Sequence, residues 1–167
     1  MTSATIRDED GHVLITIKDV DLSAVQVYKD VVKYGVSALQ WTFAAGDDRV
    51  TGSIKADSLQ GDYGDDVIFG KGGSDYLSGY HGNDTLIGGG GSDNFLFDKL
   101  YDIDRITDFD DLGKDQDQIW LKQAMWDRMD KHREGDDVVL DFGGGDELII
   151  EHAKIANITR EDFQLFS

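Results

Sequence analysis

The chain has 167 residues, enough for one domain core or two small ones, and it carries a formal net charge of −18. This acidity argues against nucleic acid or an anionic membrane surface as a partner, and it favours a cation ligand. The sequence has no cysteine, which excludes a disulfide framework and a thiolate zinc site, and no apolar run long enough for a membrane-spanning helix.

Residues 1–42 are predicted to form a β-rich cap at the N-terminal end. In HVLITIK, the apolar residues Val13, Ile15 and Ile17 recur at every second position, which is typical of a strand. The N-terminus has no basic segment followed by an apolar stretch, so we expect no classical signal peptide.

Residues 43–96 divide without a gap into six units of nine: FAAGDDRVT, GSIKADSLQ, GDYGDDVIF, GKGGSDYLS, GYHGNDTLI and GGGGSDNFL. The sixth position is always aspartate: Asp48, Asp57, Asp66, Asp75, Asp84 and Asp93. The eighth is always apolar: Val50, Leu59, Ile68, Leu77, Leu86 and Phe95. The fourth is lysine once, at Lys55, and otherwise glycine: Gly46, Gly64, Gly73, Gly82 and Gly91. Counting back by nines from Val50 gives a weaker continuation at Trp41, Val32, Ser23 and Leu14.

This period predicts a turn of six residues, in which glycine permits positive φ, followed by a strand of three residues with its central side chain inward. Two units then make one flat coil, and equivalent strands of successive coils stack about 4.8 Å apart. The turn aspartates therefore form two columns. One contains Asp48, Asp66 and Asp84, and the other contains Asp57, Asp75 and Asp93.

Stacked carboxylates repel one another, and no basic residue recurs at the same period. Calcium accepts six to eight oxygen ligands from carboxylates and backbone carbonyls, whereas magnesium requires a tighter geometry. Each column of three has two gaps, so we predict about four interior calcium sites, with partial sites at the ends. The candidate ligands are the six aspartates and the turn glycines Gly46, Gly64, Gly73, Gly82 and Gly91. The alternative is an apolar β-solenoid whose aspartates only cap turns.

The nonapeptide resembles the calcium-binding repeat of the repeats-in-toxin (RTX) family, whose consensus is Gly-Gly-x-Gly-x-Asp-x-aliphatic-x. The chain departs from this consensus at the second glycine, present only as Gly89, and at Lys55, so Asp57 is expected to be the weakest ligand. The resemblance implies an all-β fold: a right-handed parallel β-roll (β-solenoid) over 43–96, with β-rich caps over 1–42 and 97–167 and one short helix.

Within residues 97–167, four segments predict strands: DRITDF, QIWL, DVVLDF and ELIIE, the last two joined into a hairpin by a glycine turn. Residues 121–133 predict one amphipathic helix with Leu121, Ala124, Met125 and Met129 on one face.

The stretch DFDDLGKDQDQI, 108–119, partly matches an EF-hand loop through Asp108, Asp110 and Gly113. Leu112 and Ile119 stand where calcium ligands are required, so we interpret the stretch as an acidic turn.

The C-terminal stretch also resembles the segment that follows the roll in secreted serralysin-like proteases, lipases and mannuronan epimerases. The last residues, ITREDFQLFS, resemble an uncleaved C-terminal signal for type I secretion. They equally fit a last strand of the cap, preceded by a capping box of Thr159 and Asp162. The resemblance implies a bacterial extracellular protein that uses type I secretion machinery.

No His-Glu-x-x-His or Gly-x-Ser-x-Gly motif occurs, so we expect no independent enzyme. The favoured function is a calcium-binding module that folds on calcium binding and supports the secretion and folding of a larger exported protein. One alternative is a calcium-dependent carbohydrate-binding or adhesive module of a polysaccharide-active enzyme. The basic residues available for an acidic polysaccharide are Lys29, Lys33, Lys55 and Lys71. Another alternative is a free-standing calcium buffer.

Overall fold

The computed structural model of the chain describes residues 3–7, 13–18, 46–97, 102–112 and 114–167. The predicted positions Ser23, Val32 and Trp41 and the basic residues Lys29 and Lys33 lie outside these ranges.

Strands dominate the described chain. Two strands precede the roll, β1 (Ser3–Arg7) and β2 (Val13–Lys18). The roll contributes β3 (Arg49–Thr51), β4 (Ser58–Tyr63), β5 (Val67–Gly72), β6 (Tyr76–His81), β7 (Thr85–Gly90) and β8 (Asn94–Phe97). The C-terminal part contributes β9 (Ile103–Ile106), β10 (Gln118–Lys122), helix α1 (Gln123–Trp126), β11 (Asp130–Glu134), β12 (Asp137–Gly143), β13 (Asp146–Ile150), a 3-10 helix (Arg160–Asp162) and β14 (Phe163–Phe166).

The roll strands alternate between two sheets. Strands β3, β5, β7 and β9 are parallel neighbours in one sheet, and β4, β6, β8, β10 and β14 are parallel neighbours in the other. Within the roll, paired residues are 18 apart in sequence, as where Val50 lies opposite Ile68. Two nine-residue units therefore make one coil, and the predicted all-β parallel β-roll is confirmed.

The core of the roll is the row of apolar eighth-position residues between the two sheets. None of the six is more than 2% exposed. The register continues this row beyond the repeats, because Ile106 lies opposite Leu86 and Ile119 lies opposite Phe95. The C-terminal segment thus extends the same core instead of starting a separate one.

The predicted division of each unit into a six-residue turn and a three-residue strand is wrong. The strands in the middle of the roll have six residues and continue through the first three positions of the next unit. Each strand bends near its second-position residue, where φ is +84° at Asp62, +80° at Lys71, +79° at Tyr80 and +97° at Gly89. This bend explains why glycine is the consensus residue at that position.

Strands cover the ends of the first sheet. Strands β1 and β2 form an antiparallel hairpin, and β2 pairs with β3 where Lys18 lies opposite Arg49. At the other end, β13 pairs parallel with β9, and β12 and β11 follow as antiparallel neighbours. The predicted glycine hairpin of β12 and β13 is present, and its added strands shield an edge that would otherwise be open.

The predicted helix over 121–133 is wrong. Leu121 belongs to β10, the helix α1 spans four residues, and β11 begins at Asp130. Leu121 is fully buried opposite Phe97 and Leu165, so pairing with β8 and β14 overrides the helical spacing of its neighbours. Among the described residues, no helix has the length and apolar character to span a membrane.

Candidate metal centre

The aspartates at the sixth position stack into the two predicted columns. After the first member of each column, the Oδ1 atom of each aspartate accepts a hydrogen bond from the backbone N–H of the aspartate 18 residues earlier. The N···O distances are 2.7 Å from Asp48 to Asp66, 2.8 Å from Asp66 to Asp84, 2.8 Å from Asp57 to Asp75 and 2.8 Å from Asp75 to Asp93. Each column is therefore a continuous ladder of backbone and carboxylate groups.

The second carboxylate oxygen is unsatisfied over most of the roll. The Oδ2 atoms of four aspartates are buried without a hydrogen-bond partner: Asp66, Asp75, Asp84 and Asp93. A buried polar atom without a partner destabilises a fold by roughly 1–3 kcal/mol, and more for a charged group. Four such atoms in equivalent positions indicate a ligand position that recurs with the coil.

The first-position glycines create the space into which these oxygens point. A Cβ atom on Gly61 would overlap the Oδ2 atom of Asp66 and lie 2.9 Å from the carbonyl oxygen of Gly79 on the next coil. Gly70 faces Asp75 and the carbonyl of Gly88 in the same way. Each gap therefore brings together a carboxylate oxygen and a backbone carbonyl oxygen, a donor set that fits calcium. The sequence prediction missed these glycines as site residues, although glycine recurs at the first position.

The fourth-position glycines allow successive turns to lie directly above one another. In Gly64, Gly73, Gly82 and Gly91, φ lies between +109° and +123°, and an added Cβ would overlap the backbone of the turn 18 residues earlier. Gly46, with φ +146°, begins this stack and donates its N–H to the carbonyl of Tyr63 at 2.8 Å. These five residues shape the gaps between turns, and their role as calcium ligands remains a prediction.

Asp57 differs from the other aspartates of the roll. It is only half-buried, and its Oδ2 atom accepts a hydrogen bond from the Ser53 N–H at 2.6 Å. Its own turn therefore satisfies the oxygen that lacks a partner in Asp66. Asp57 belongs to the same nine-residue unit as Lys55, which is the only fourth-position residue of the six units that is not glycine.

The fifth-position residues form a separate, exposed ladder. The N–H of Asp65 donates to Asp47 Oδ1 at 3.0 Å, and the N–H of Asn83 donates to Asp65 Oδ1 at 2.8 Å. These side chains therefore already accept hydrogen bonds from turn backbones at the surface, as solvated turn residues do.

Two aspartates outside the repeats continue the columns, and the period of nine did not reveal them. The N–H of Asp84 donates to Asp104 Oδ1 at 2.9 Å, and the N–H of Asp93 donates to Asp117 Oδ1 at 2.8 Å. A local signal was present, because Asp104 and Asp117 each begin an Asp-x-Ile triplet like the Asp-x-aliphatic triplets of the repeats.

Burial raises the pKa of the column aspartates from Asp66 onward. It is the largest cause at each position, and neighbouring carboxylates raise the pKa further, whereas hydrogen bonds from backbone N–H groups lower it. The pKa is raised from 3.8 to about 7 at Asp66, Asp75, Asp84, Asp104 and Asp117. Without a cation, the folded roll thus disfavours the charge on each of these side chains.

The described residues contain no group of three or more His, Asp or Glu side chains arranged to hold a metal ion by themselves. Each gap of the roll offers two carboxylates from successive coils, and the remaining oxygens must come from the backbone. The fold and these gaps together define a β-roll whose turns are suited to bind cations between coils.

Comparison with known families and structures agrees with this class. The sequence profile of the RTX calcium-binding nonapeptide repeat (four copies) matches residues 44–77 and 61–95. Residues 44–95 are therefore RTX calcium-binding nonapeptide repeats. Among curated proteins, no sequence is similar enough to count as a match.

Two solved structures share the fold. The AlgE6R3 subunit of the mannuronan C5-epimerase from Azotobacter vinelandii is 25% identical, with a TM-score of 0.57 over 78% of this chain and 84% of that chain. The extracellular lipase LipA from Serratia marcescens is 24% identical, with a TM-score of 0.62 over 75% of this chain but 20% of the lipase. The first is a repeat subunit of an enzyme, and the second shows that a much longer protein contains a region of this shape.

Proposed function

We propose that the chain is a calcium-binding RTX module that folds on calcium binding and supports the folding and secretion of a larger exported protein. The observation that carries the proposal is the set of four buried, partnerless Oδ2 atoms of Asp66, Asp75, Asp84 and Asp93. In each column, calcium in the gaps between coils would be held by the aspartate carboxylates and by glycine carbonyls. Its positive charge would balance the buried carboxylates.

Calcium would couple binding to folding because the ligands converge only in the stacked roll. The unfolded chain, with a net charge of −18, has no preformed site. Each ion that binds only the folded state adds stability according to its concentration relative to its dissociation constant. Low calcium inside a cell would leave the chain unfolded, and high calcium outside would fold it.

Far-UV circular dichroism during stepwise calcium addition, followed by excess chelator, tests this coupling. We expect a transition from coil to β structure that chelator reverses and magnesium does not reproduce. A spectrum that is already rich in β structure and is unchanged by chelator would show that the aspartates serve only as turn residues. Asp84→Asn should shift the calcium midpoint upward, whereas Asp136→Asn, in the exposed turn between β11 and β12, should leave it unchanged.

The secretion role draws support from the similarity to an extracellular lipase and from the C-terminal sequence. The last residues form the 3-10 helix and β14, and Thr159 and Asp162 make the predicted capping box, so they also serve as a strand of the cap. Export of a passenger fused to the full chain, in cells with a type I transporter, tests the proposal. Equal export after removal of residues 159–167 would contradict it.

The second candidate, a carbohydrate-binding module, is favoured by the outer face of the β4–β6–β8–β10–β14 sheet. Tyr76 is 47% exposed there and contacts Trp120 edge-on, with ring centroids 5.8 Å apart. A groove of about 210 Å³ beside it is lined by Ser58, Gln60, Tyr76, Ser78 and Tyr80, among others. Aromatic rings and uncharged polar groups suit the faces and hydroxyls of sugars better than they suit an acidic polymer.

Titration with alginate and with a neutral β-glucan, both in calcium, separates the two candidates. Saturable binding of either polymer that Tyr76→Ala abolishes would promote the carbohydrate function. If neither polymer binds, the calcium-dependent folding module is the remaining candidate of the two. Lys55 and Lys71 are both exposed, and the backbone of Lys55 lies against Gly73. Loss of alginate binding in the Lys55→Gln/Lys71→Gln variant would show that these lysines contact the acidic polymer.

A further inference from the structure

We propose that Asp104 and Asp117, which lie outside the nine-residue repeats, complete two further calcium sites at the C-terminal end of the roll. One site lies between Asp84 and Asp104, and the other lies between Asp93 and Asp117. The inference rests on the proposed calcium function and extends it beyond the repeat block.

The positions of the two aspartates are equivalent to those in the repeats. Asp104 precedes Ile106 by two residues, and Ile106 lies opposite Leu86, which Asp84 precedes by two residues. Asp117 stands in the same relation to Ile119, which lies opposite Phe95. Asp104 is 2% exposed and Asp117 is 3% exposed, so both carboxylates are as enclosed as those of the roll. Asp117 resembles Asp57 among the repeat aspartates, because its Oδ2 atom also accepts a backbone N–H, that of Asp110 at 2.9 Å.

The partnerless oxygens of Asp84 and Asp93 point to a ligand in these last gaps. Each of the two residues is 1% exposed, and its Oδ2 atom has no hydrogen-bond partner. The Oδ2 atoms of Asp84 and Asp93 lie where a Cβ atom on Gly79 or Gly88 would be. The Oδ2 atom of Asp66 lies in the same way beside Gly61, next to the following coil. For Asp84 and Asp93, the following coil consists of β9 and β10. A column that ended with the repeats would leave both atoms without a ligand.

The last gaps also carry more negative charge than the interior gaps. The N–H of Gly64 donates to a backbone carbonyl, that of His81, whereas the N–H of Gly82 donates to the carboxylate of Asp102 at 3.0 Å. On the other column, the carboxylate of Asp108 accepts from the N–H groups of Gly88 and Gly89 at 3.0 Å and 2.8 Å.

Asp102 and Asp108 are close enough to act on the column aspartates. After burial, which is the largest cause, Asp102 raises the pKa of Asp104, and Asp108 raises the pKa of Asp93 and Asp117. Neither residue belongs to the two columns, so they act as neighbouring charges beside the gaps. Calcium affinity rises with the number of nearby negative charges, so the two end sites are the tightest in the roll.

Counting bound calcium by native mass spectrometry tests the inference. The wild-type chain should bind about six ions, which is the four of the interior gaps plus two. Asp104→Asn and Asp117→Asn should each remove one ion, and the double variant should remove two. The amide oxygen of asparagine can still accept the backbone N–H of Asp84 or Asp93, so the ladder is preserved. Asp65→Asn, an acid-to-amide change on the exposed ladder, is the matched control and should keep the full count.

Retention of the full count in the double variant would overturn the inference while leaving calcium-driven folding intact. A wild-type chain that binds no calcium would instead overturn the proposed function itself. If Asp104→Asn does not fold in calcium, Asp102→Asn provides the second test, because Asp102 is a neighbouring charge. It should keep the ion count and weaken the tightest class of sites by about tenfold, and an unchanged affinity would count against the inference.

Discussion

The roll and the C-terminal cap use the same strand spacing but satisfy their buried polar groups differently. In the roll, Asp66 and Asp84 keep a buried oxygen without a partner. In the cap, the carboxylate of Asp162 accepts the N–H of Thr159 at 2.5 Å, and the ammonium of Lys131 donates to the carbonyls of Ile155 and Ile158 at 3.2 Å and 2.5 Å. These cap groups satisfy one another, although Nδ1 of His132 in β11 is also buried without a hydrogen-bond partner. In the roll, by contrast, partnerless carboxylate oxygens recur with the coil, which leaves them to a cation.

The roll also buries fewer apolar side chains per strand than the cap does. Each roll unit buries one large side chain, such as Ile68 in β5, because the neighbouring positions face outward or are glycine. The cap strand β12 buries four apolar residues, Val138, Val139, Leu140 and Phe142. A strand with four buried apolar side chains contributes several times the hydrophobic free energy of a strand with one. Repetition therefore produces a regular scaffold for ions and leaves the roll with little stability of its own.

The largest expected effect comes from adding one methyl group to the roll. Gly82→Ala places a Cβ atom against the carbonyl of Gly64, at φ +123°, so the turns can no longer stack. We expect a loss of about 3 kcal/mol or more in the free energy of unfolding, measured by urea denaturation in saturating calcium.

Two glycine variants serve as controls for that measurement. Gly90→Ala, also in the roll, meets no atom within 4 Å and should change stability by less than about 1 kcal/mol. Gly135→Ala, in the β11–β12 turn of the cap, has open space but φ +61°, so only the backbone cost of about 1–2 kcal/mol applies. Equal losses of unfolding free energy in Gly82→Ala and Gly135→Ala would show that the stacking of turns makes the roll no more sensitive than the cap.

The pH dependence should have opposite signs with and without calcium. The folded pKa of Asp66, Asp75 and Asp84 is raised from 3.8 to about 7, so the folded roll binds protons that the unfolded chain releases in this window. Without calcium, stability therefore falls as pH rises from about 4 to about 7. With calcium, acid competes with the ion for the carboxylates, and stability falls as pH is lowered.

Thermal unfolding at about pH 5.5 and about pH 8, each in calcium and in chelator, measures this reversal. In chelator, the roll should retain β structure and melt cooperatively only at the lower pH, whereas the calcium-bound chain should melt higher at the higher pH. A metal-free chain that is more stable at the higher pH would show that burial does not determine the pKa of these carboxylates.

The smallest expected effect concerns the bend of the roll strands. Lys71 is exposed with φ +80°, and it lies opposite Gly89 on the next coil, where φ is +97°. Lys71→Gly should stabilise the calcium-bound roll by roughly 0.5–1 kcal/mol, because glycine removes a strain of about 1–2 kcal/mol at some cost in chain entropy. Lys71→Ala retains the strain and should give no gain. A gain in both variants would mean that the lysine side chain, not the backbone, was unfavourable.

Much of the roll could be predicted because its period is a physical repeat. The spacing of Asp66 and Ile68, restated every nine residues, was sufficient to predict the coil length, the two columns and the buried row. Asp104 and Asp117 escaped because insertions lengthen their coils, so they follow Asp84 and Asp93 by 20 and 24 residues instead of 18.

The cap was predicted less completely because its elements depend on distant partners. The short apolar runs of β12 and β13 identified them as strands, and the glycine turn identified their hairpin. In 121–133, by contrast, helical spacing of Leu121 and Met125 competed with strand pairing across the sheet. The pairing won because β10 fills the position between β8 and β14, and β11 completes the edge beside β12.

Hydrogen exchange followed by mass spectrometry, in calcium and in excess chelator at about pH 8, tests the central claim that calcium is a structural part of the roll. We expect residues 46–97 to be protected in calcium and to lose that protection in chelator, with a smaller loss in the β12–β13 hairpin. Protection of residues 46–97 that persists in chelator would contradict the claim, because the stacked aspartates would then form a stable roll without the ion.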